Sequence, residues 1–132
     1  MTWASHEPQL RAVRTPVFVK EQLVTPEFEW DDIDATAVHL LATQNNEPIA
    51  CLRIIDYNKI GRMAVLKQYR GNGLGAALLL EAVAICKQHG SQQVALSAQT
   101  HAITFYEKAG FKQVSGVYCD VDIAHVDMLL AL

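Results

Sequence analysis

The apolar residues near the start of the chain recur at helical spacing. Between about Pro8 and Gln22 they fall on one face of a helix, at Leu10, Val13, Val17 and Phe18. Pro16 lies within this stretch. Because proline removes a hydrogen-bond donor and clashes with the preceding turn, it should kink or split the helix. The segment that follows, Val24–Asp34, is rich in acidic residues and is predicted to be a loop with at most a short helical turn.

Apolar runs of strand length come next. The predicted strands are Val38–Thr43, Ile49–Ile55 and Ile60–Val65. Asn45-Asn46 and Tyr57-Asn58 separate them as tight turns. Three strands joined by such short turns predict an antiparallel meander.

After Val65 the apolar period becomes helical again. A helix from near Gly73 to about His89 has its apolar face at Leu74, Ala77, Leu78, Ala82 and Ile85. Gly90 is a natural C-terminal stop. The remaining predicted elements are a strand at Val94–Ala98, a helix at His101–Ala109 ended by Gly110, and strands at Phe111–Tyr118 and His125–Leu132. This order predicts an α+β, mixed-sheet domain.

Composition narrows the class of protein. The chain has 132 residues, 51% hydrophobic and 19% charged, which predicts one compact domain over residues 1–132. No apolar run reaches the roughly 18 residues of a membrane span, and residues 1–10 lack a signal-peptide pattern. Three scattered cysteines fit neither a disulfide framework nor a zinc site, so we expect a cytoplasmic protein without metal.

Charge is distributed unevenly along the chain. Residues 1–58 carry four basic and nine acidic side chains, whereas residues 59–132 carry seven and five. An anionic ligand would favour the second half and a cationic ligand the first. The chain lacks the basic stripe expected of a nucleic-acid binder. The sequence leaves the oligomeric state open, although exposed sheet edges often favour dimers.

The glycine-rich segment Gln68–Gly75 is the strongest candidate for a binding site. It lies between a predicted strand and a predicted helix. Glycines there leave backbone amides accessible at a helix start, where the helix dipole favours an anion. Arg70 adds a guanidinium suited to phosphate.

Several types of loop share this pattern. A P-loop would need Lys followed by Ser or Thr, where the chain has Ala76-Ala77. A dinucleotide-binding loop is matched by Gly71, Gly73 and Ala76, but the next strand is not followed by the acidic residue that holds ribose. A coenzyme A pyrophosphate loop, Gln-x-x-Gly-x-Gly from Gln68, fits without such an objection. A tight turn without a ligand stays open.

Two longer motifs resemble the GNAT superfamily of N-acetyltransferases. One is Ile60–Val65 followed by Gln68–Gly75, and the other is Ala102–Phe111, similar to that superfamily's second cofactor-side helix. Further segments resemble the ElaA-like branch, namely Arg14–Gln22, Glu29–Asp31 with Asp34, His39, and Ile123–Met128. The resemblance implies a GNAT acyl-CoA N-acyltransferase fold. In that fold a mostly antiparallel twisted sheet contains a splayed strand pair and is flanked by helices.

The resemblance also implies an activity. It predicts acetyl-CoA-dependent N-acetyl transfer, directly to the amine of a small molecule or peptide in a ternary complex. Acetyl-CoA would act as co-substrate, without metal, nucleic acid or membrane. The implied cofactor contacts are Met63, Ala64, Val65, Gln68, Arg70, Gly71, Asn72, Gly73, Leu74, Gly75, Gln99, Thr104, Phe105 and Tyr106. Gln99 departs from the Asn that the superfamily often has there.

Tyr106 matches the superfamily's frequent general acid, which would protonate the leaving thiolate. The general base is less defined. The candidates in branch-like segments are Glu21, Asp31, Asp34, His39 and His125, with Glu21 and the two histidines preferred. An alternative function is a catalytically silent acyl-CoA-binding sensor.

Overall fold

A computed structural model describes residues 3–22, 32–120 and 123–132. The helices are α1 (Trp3–Arg14), continued by a π-helix at Thr15–Glu21, then α2 (Leu74–Gln88) and α3 (Ile103–Lys108). Short 3₁₀ turns lie at Asp32–Ala35, Lys67–Tyr69 and Thr100–Ala102. The strands are β1 (Val38–Gln44), β2 (Glu47–Ile55), β3 (Lys59–Val65), β4 (Gln93–Gln99), β5 (Lys112–Gln113), β6 (Tyr118–Asp120) and β7 (Ile123–Ala131).

The seven strands form one mixed sheet, which confirms the predicted fold class. Its order is β1-β2-β3-β4-β7-β5, with β6 also paired to β7. Strands β1 to β3 form the predicted antiparallel meander, and β4 is antiparallel to β7. Among the strands that the structure describes, the central β3–β4 pair alone is parallel.

The parallel pair separates soon after it forms. Strands β3 and β4 pair only at Lys59 with Ala95 and at Ile60 with Leu96. Beyond these positions both strands continue without pairing to each other, to Val65 and Gln99 respectively. The register of β3 with β2 also shifts here, and Arg62 has a φ of +47°. Since a bulge bends its strand and increases the local twist, it turns β3 away from β4.

A hydrophobic core lies on each face of the sheet. On one face α2 buries Leu78, Leu79, Ala82 and Cys86 against the sheet, including β2 and β3, and the partly buried Phe105 and Tyr106 of α3 join this core. On the other face Leu10, Val13 and Val17 pack against Cys51 and Ala64. The N-terminal helices and the pair α2–α3 therefore cover opposite faces.

A buried ionic cluster ties the N-terminal helix to the sheet. Asp34 Oδ1 accepts hydrogen bonds from Arg14 at 2.8 Å and from Arg53 at 3.1 Å, and all three side chains are buried. Burial alone would raise the pKa of Asp34, yet the hydrogen bonds and charges of Arg14 and Arg53 hold it below its ordinary value. His39 Nε2 lies 3.0 Å from the Asp34 carbonyl oxygen.

Several element boundaries differ from the sequence prediction. The first helix begins earlier than predicted, at Trp3, with a non-helical residue at His6. Pro8 then lies in the first turn of the resumed helix, where its missing N–H costs no hydrogen bond. Beside Pro16, where a kink or split is predicted, the α-helix gives way to a π-helix over Thr15–Glu21. Most of the predicted acidic loop lies outside the described residues.

Two other predictions were partly wrong. The second hairpin turns at Asp56-Tyr57, both with positive φ, and not at Tyr57-Asn58. The predicted strand Phe111–Tyr118 is broken into β5 and β6. Between them, the Val114 N–H still donates to the Asp127 carbonyl at 2.9 Å. The Asp127 N–H, however, donates to Ser115 Oγ at 2.8 Å, and the backbone ladder is interrupted there.

We predict that Asp34→Asn lowers the free energy of unfolding by about 3–5 kcal/mol at pH 7, because it leaves two buried arginines without their carboxylate. The folded pKa of Asp34 is lowered, so its contribution is complete above the unfolded pKa of about 3.9 and is lost as the pH falls through the folded value. Urea unfolding between pH 3 and pH 7 should show the difference between native protein and variant shrinking at acid pH.

Glu81→Gln, on the exposed side of α2, is the matched control and should change stability by less than about 0.5 kcal/mol. A similar small effect of Asp34→Asn at pH 7 would contradict a stabilising role for the cluster.

Candidate functional site

The separation of β3 and β4 opens a cleft of about 1140 Å³. Its described walls come from the π-helix, the middle of the sheet, the loop before α2, and α3. Of the predicted cofactor contacts, the cleft is lined by Met63, Ala64, Val65, Arg70, Gly71, Gly73, Leu74, Gly75, Gln99, Phe105 and Tyr106. The structure thus brings together most residues that the sequence placed in one site.

The start of α2 forms one end of the cleft. The first helical hydrogen bond joins the Ala77 N–H to Gly73 O at 3.0 Å, so the amides of Leu74, Gly75 and Ala76 precede the helical ladder. Gly73 has a φ of +77° and makes no side-chain cap. A Cβ there would meet no heavy atom of the described part of the chain within 4 Å. The helix start is therefore open and able to donate to an anion.

The edge of β3 forms the long wall of the cleft. The Leu66 N–H donates to Ile49 O of β2 at 2.9 Å. Because successive residues of an antiparallel strand direct their polar groups to alternate sides, those of Val65 are directed into the gap. Consistent with this, the Val65 carbonyl accepts a hydrogen bond from Arg70 Nε at 2.9 Å. This wall can pair with an extended chain as an added strand would.

Tyr106 enters the cleft from the face covered by α2 and α3. Its ring packs edge-to-face against Phe105 and Phe111, with centroids 5.1 and 6.1 Å away. Burial raises the pKa of Tyr106 to about 12. The phenol therefore stays protonated at neutral pH and is available as a hydrogen-bond donor.

His125 reaches the cleft from the opposite face. Its neighbour Val126 belongs to the core under α2, and alternate strand residues face opposite sides. His125 Nδ1 lies 2.7 Å from the Ile123 carbonyl oxygen. A carbonyl can only accept, so Nδ1 carries the proton and Nε2 has a free lone pair. In this tautomer of the neutral ring, Nε2 is the nitrogen that can accept a hydrogen bond.

Gln99 bridges the same region to the N-terminal helices. Its Nε2 donates to Gln22 Oε1, at the end of the π-helix, at 2.6 Å. Gln99 also pairs with His125 across the β4–β7 ladder. The two side chains therefore lie next to each other on the face covered by the N-terminal helices.

Other predicted site residues lie elsewhere. Gln68, Asn72 and Thr104 are exposed and are not among the described residues that line the cleft. His39 is buried in the ionic cluster, where burial lowers its pKa despite its hydrogen bond to the Asp34 backbone. Asp34 itself is held by Arg14 and Arg53. The Glu21 side chain and Asp31 lie outside the described residues.

The cleft also contains residues that the sequence reasoning missed. They include Arg53, Gly61, Ser97, Asp120 and Ile123. The sequence signal that could have identified Ser97 is the alternation of side chains along β4, because Ser97 faces the same side of the sheet as the predicted contact Gln99.

Within the parts of the chain that the structure describes, no group of three or more His, Cys, Asp or Glu side chains could hold a metal ion. None of the described helices is long and apolar enough to cross a membrane.

Comparison with known proteins shows to which protein family the chain belongs. The model of the acetyltransferase (GNAT) domain family matches residues 7–132, so the chain belongs to the GNAT acetyltransferase family. The crystal structure of Escherichia coli ElaA superposes with a TM-score of 0.86 at 33% identity, covering 96% of this chain and 90% of that one. The resemblance to the ElaA-like branch is thereby confirmed.

Two further relatives support the assignment. An acyl-CoA N-acyltransferase from Pseudomonas aeruginosa has a TM-score of 0.84 at 35% identity, over 93% of this chain and 88% of that one. The uncharacterized N-acetyltransferase YjcF of Bacillus subtilis is 33% identical over 96% of this chain and 95% of its own length. More distantly, a Bacillus anthracis protein solved in complex with acetyl coenzyme A shares the fold with a TM-score of 0.62 at 21% identity, covering 73% of this chain and 62% of that one.

Proposed function

We propose that this protein transfers an acetyl group from acetyl-CoA directly to the amine of a small molecule or peptide. The observation that carries the proposal is the cleft between β3 and β4, with the open start of α2 at one end. Membership of the GNAT acetyltransferase family supports it. So does a fold neighbour that was solved with acetyl coenzyme A.

In this proposal acetyl-CoA lies along the edge of β3. The amides of Leu74, Gly75 and Ala76 would hold the pyrophosphate, with the Arg70 guanidinium nearby. The pantetheine arm would run beside Met63–Val65, using main-chain hydrogen bonds. The thioester would then reach the narrow end of the gap. A backbone N–H of β3 would polarise its carbonyl oxygen.

In this proposal Tyr106 and His125 each carry out one proton transfer, and they act from opposite faces of the sheet. His125 Nε2 accepts the proton that the amine must lose before its nitrogen attacks. As the new C–N bond forms and the C–S bond breaks, the Tyr106 hydroxyl donates to the developing thiolate. Burial in the same apolar surroundings would also raise the pKa of the leaving thiol, which favours this donation despite the high pKa of Tyr106.

The same geometry ranks the base candidates. His125 lines the cleft with a defined tautomer, whereas His39 and Asp34 belong to the buried ionic cluster. We therefore assign the base role to His125. The three cysteines are free thiols. We also propose that the protein is cytoplasmic.

We predict that Gly73→Glu weakens acetyl-CoA binding at least about tenfold. Its carboxylate would lie close to the negatively charged diphosphate, and at such short range the repulsion between like charges is on the order of kilocalories per mole. The matched control is Gly90→Glu. Gly90 has a nearly equal φ of +82° and equally open surroundings, but lies beyond the other end of α2. Both variants should lose similar stability, whereas isothermal titration should show weaker binding for Gly73→Glu alone. Native affinity in that variant would remove the loop from the site.

Catalysis is tested by thiol release from acetyl-CoA with an alkylamine, an aralkylamine, a diamine and a lysine-containing peptide. We expect release to depend on at least one amine. If acetyl-CoA binds and none of a broad amine panel releases thiol, the silent sensor is the better description.

We predict that Tyr106→Phe lowers kcat about 100-fold, the usual scale of general acid catalysis, while acetyl-CoA affinity changes less than about threefold. Tyr57→Phe is the matched control, since Tyr57 stacks on His89 outside the cleft, with ring centroids 3.7 Å apart. An unchanged kcat for Tyr106→Phe between pH 6 and pH 9 would exclude Tyr106 as the acid.

A further inference from the structure

A chain of three polar side chains crosses the sheet beside the narrow end of the cleft. Ser97 of β4 pairs in register with Asp127 of β7, and Tyr118 of β6 pairs with His125. The Ser97 hydroxyl is hydrogen-bonded to the Tyr118 hydroxyl. The Tyr118 hydroxyl in turn lies 2.6 Å from Asp127 Oδ1. Ser97 is the member of this chain that lines the cleft.

The chemistry of the three groups fixes the direction of these hydrogen bonds. The Asp127 carboxylate only accepts, so Tyr118 gives it its single hydroxyl proton. Tyr118 must then accept from Ser97, which uses the Ser97 proton. Toward the cleft, Ser97 Oγ can therefore act only as an acceptor. Burial and the hydrogen bond to Asp127 raise the pKa of Tyr118, which keeps its proton in place.

Ser97 occupies a distinctive place along its strand. The β3–β4 pairing ends at Leu96, so Ser97 is the first β4 residue beyond the point where the strands part. It lies on the same face as His125, diagonally across the β4–β7 ladder. On β3 the first residue past the same point is Gly61, where a Cβ would meet no heavy atom of the described residues within 4 Å. Because Gly61, Ser97 and His125 all line the cleft, this open space belongs to the same cleft.

We propose that Ser97, Tyr118 and Asp127 form the binding site for the acceptor's ammonium group, with Ser97 Oγ taking one of its N–H donors. This inference rests on the proposed acetyl transfer. An ammonium has three donors and no acceptor, so it complements an oxygen that can only accept. Hydrogen bonds in series polarise one another, and the chain thereby extends the Asp127 charge to the cleft.

The surrounding charges make such a local acceptor necessary. Among the described lining residues Lys59, Arg62 and Arg70 are basic in addition to Arg53, which is paired with Asp34, whereas Asp120 is the one carboxylate. A cationic amine entering this cleft therefore needs a confined negative site. After binding at Ser97, the ammonium can pass a proton to the nearby His125 and attack as a neutral amine. The substrate class selected is thus a primary or secondary amine that arrives protonated.

Two coenzyme A thioethers test this without a known acceptor. S-(2-aminoethyl)-CoA carries an ammonium one bond beyond the position of the attacking nitrogen, and S-propyl-CoA is its uncharged isostere. Isothermal titration at pH 7 should show the aminoethyl compound binding native protein at least about tenfold tighter, since hydrogen bonds to charged groups contribute on that scale. Ser97→Ala, Tyr118→Phe and Asp127→Asn should each reduce that ratio to about one. The affinity for S-propyl-CoA should hardly change, which shows that the variants are folded.

Matched control variants test whether the difference in binding between the two thioethers comes from Ser97, Tyr118 and Asp127. Ser91→Ala and Asp56→Asn, outside the cleft lining, should retain the full ratio, and Asp120→Asn should retain most of it. Equal binding of both thioethers to native protein would overturn the ammonium site while leaving the cofactor site intact. A ratio abolished by Asp120→Asn but retained by Asp127→Asn would overturn the chain of hydrogen bonds. If neither thioether binds native protein, the proposed function fails and this inference fails with it.

Discussion

The early end of pairing between β3 and β4 is the constraint on which the rest of the site depends. Two paired positions join these strands, and the bulge at Arg62 then turns β3 away. Two strand edges with unpaired backbone are normally a liability in a protein. Here the opening exposes the edge of β3 to a possible strand-like ligand and admits side chains from both faces of the sheet. Tyr106 and His125 can face one cleft only because the sheet is open between them.

The two faces of the sheet hold this opening in different ways. On one face α2 packs by apolar contacts, and its N-terminus lies at the wide end of the cleft. On the other face the buried Arg14–Asp34–Arg53 cluster joins α1 to β2, and the Gln99–Gln22 hydrogen bond joins the π-helix to β4. The residues beside the narrow end are thus positioned by polar contacts between segments far apart in sequence. In the proposed function, these contacts set the geometry of the acceptor side.

The sequence predicts features that depend on local backbone chemistry. Asn45-Asn46, Gly90 and Gly110 end their elements as expected, each with positive φ, because few other residues adopt that conformation at low cost. The glycine loop was identified for the same reason. The separation of β3 and β4 was anticipated only through family resemblance, since apolar periodicity carries no information about where pairing between two strands stops.

Long-range polar contacts were beyond sequence reasoning. Ser97, Tyr118 and Asp127 come from three strands, and of the three only Asp127 lies in a segment that the family resemblance singles out, Ile123–Met128. The sequence predicted one strand over Phe111–Tyr118 because its residues suit a strand. The structure breaks this segment, since Ser115 bonds to the Asp127 backbone, and Tyr118 therefore lies on the separate strand β6. Likewise, no local pattern distinguishes His125 as a cleft residue from His39 as a buried structural one.

The most direct test of the central claim is a backbone amide NMR titration with coenzyme A. The account predicts that the largest shifts fall on the amides of Leu74, Gly75 and Ala76 at the start of α2 and on Val65 along the edge of β3. The amides near Gly90, beyond the other end of α2, should hardly move. Saturable binding that leaves those four amides unshifted, with changes elsewhere on the protein, would contradict it.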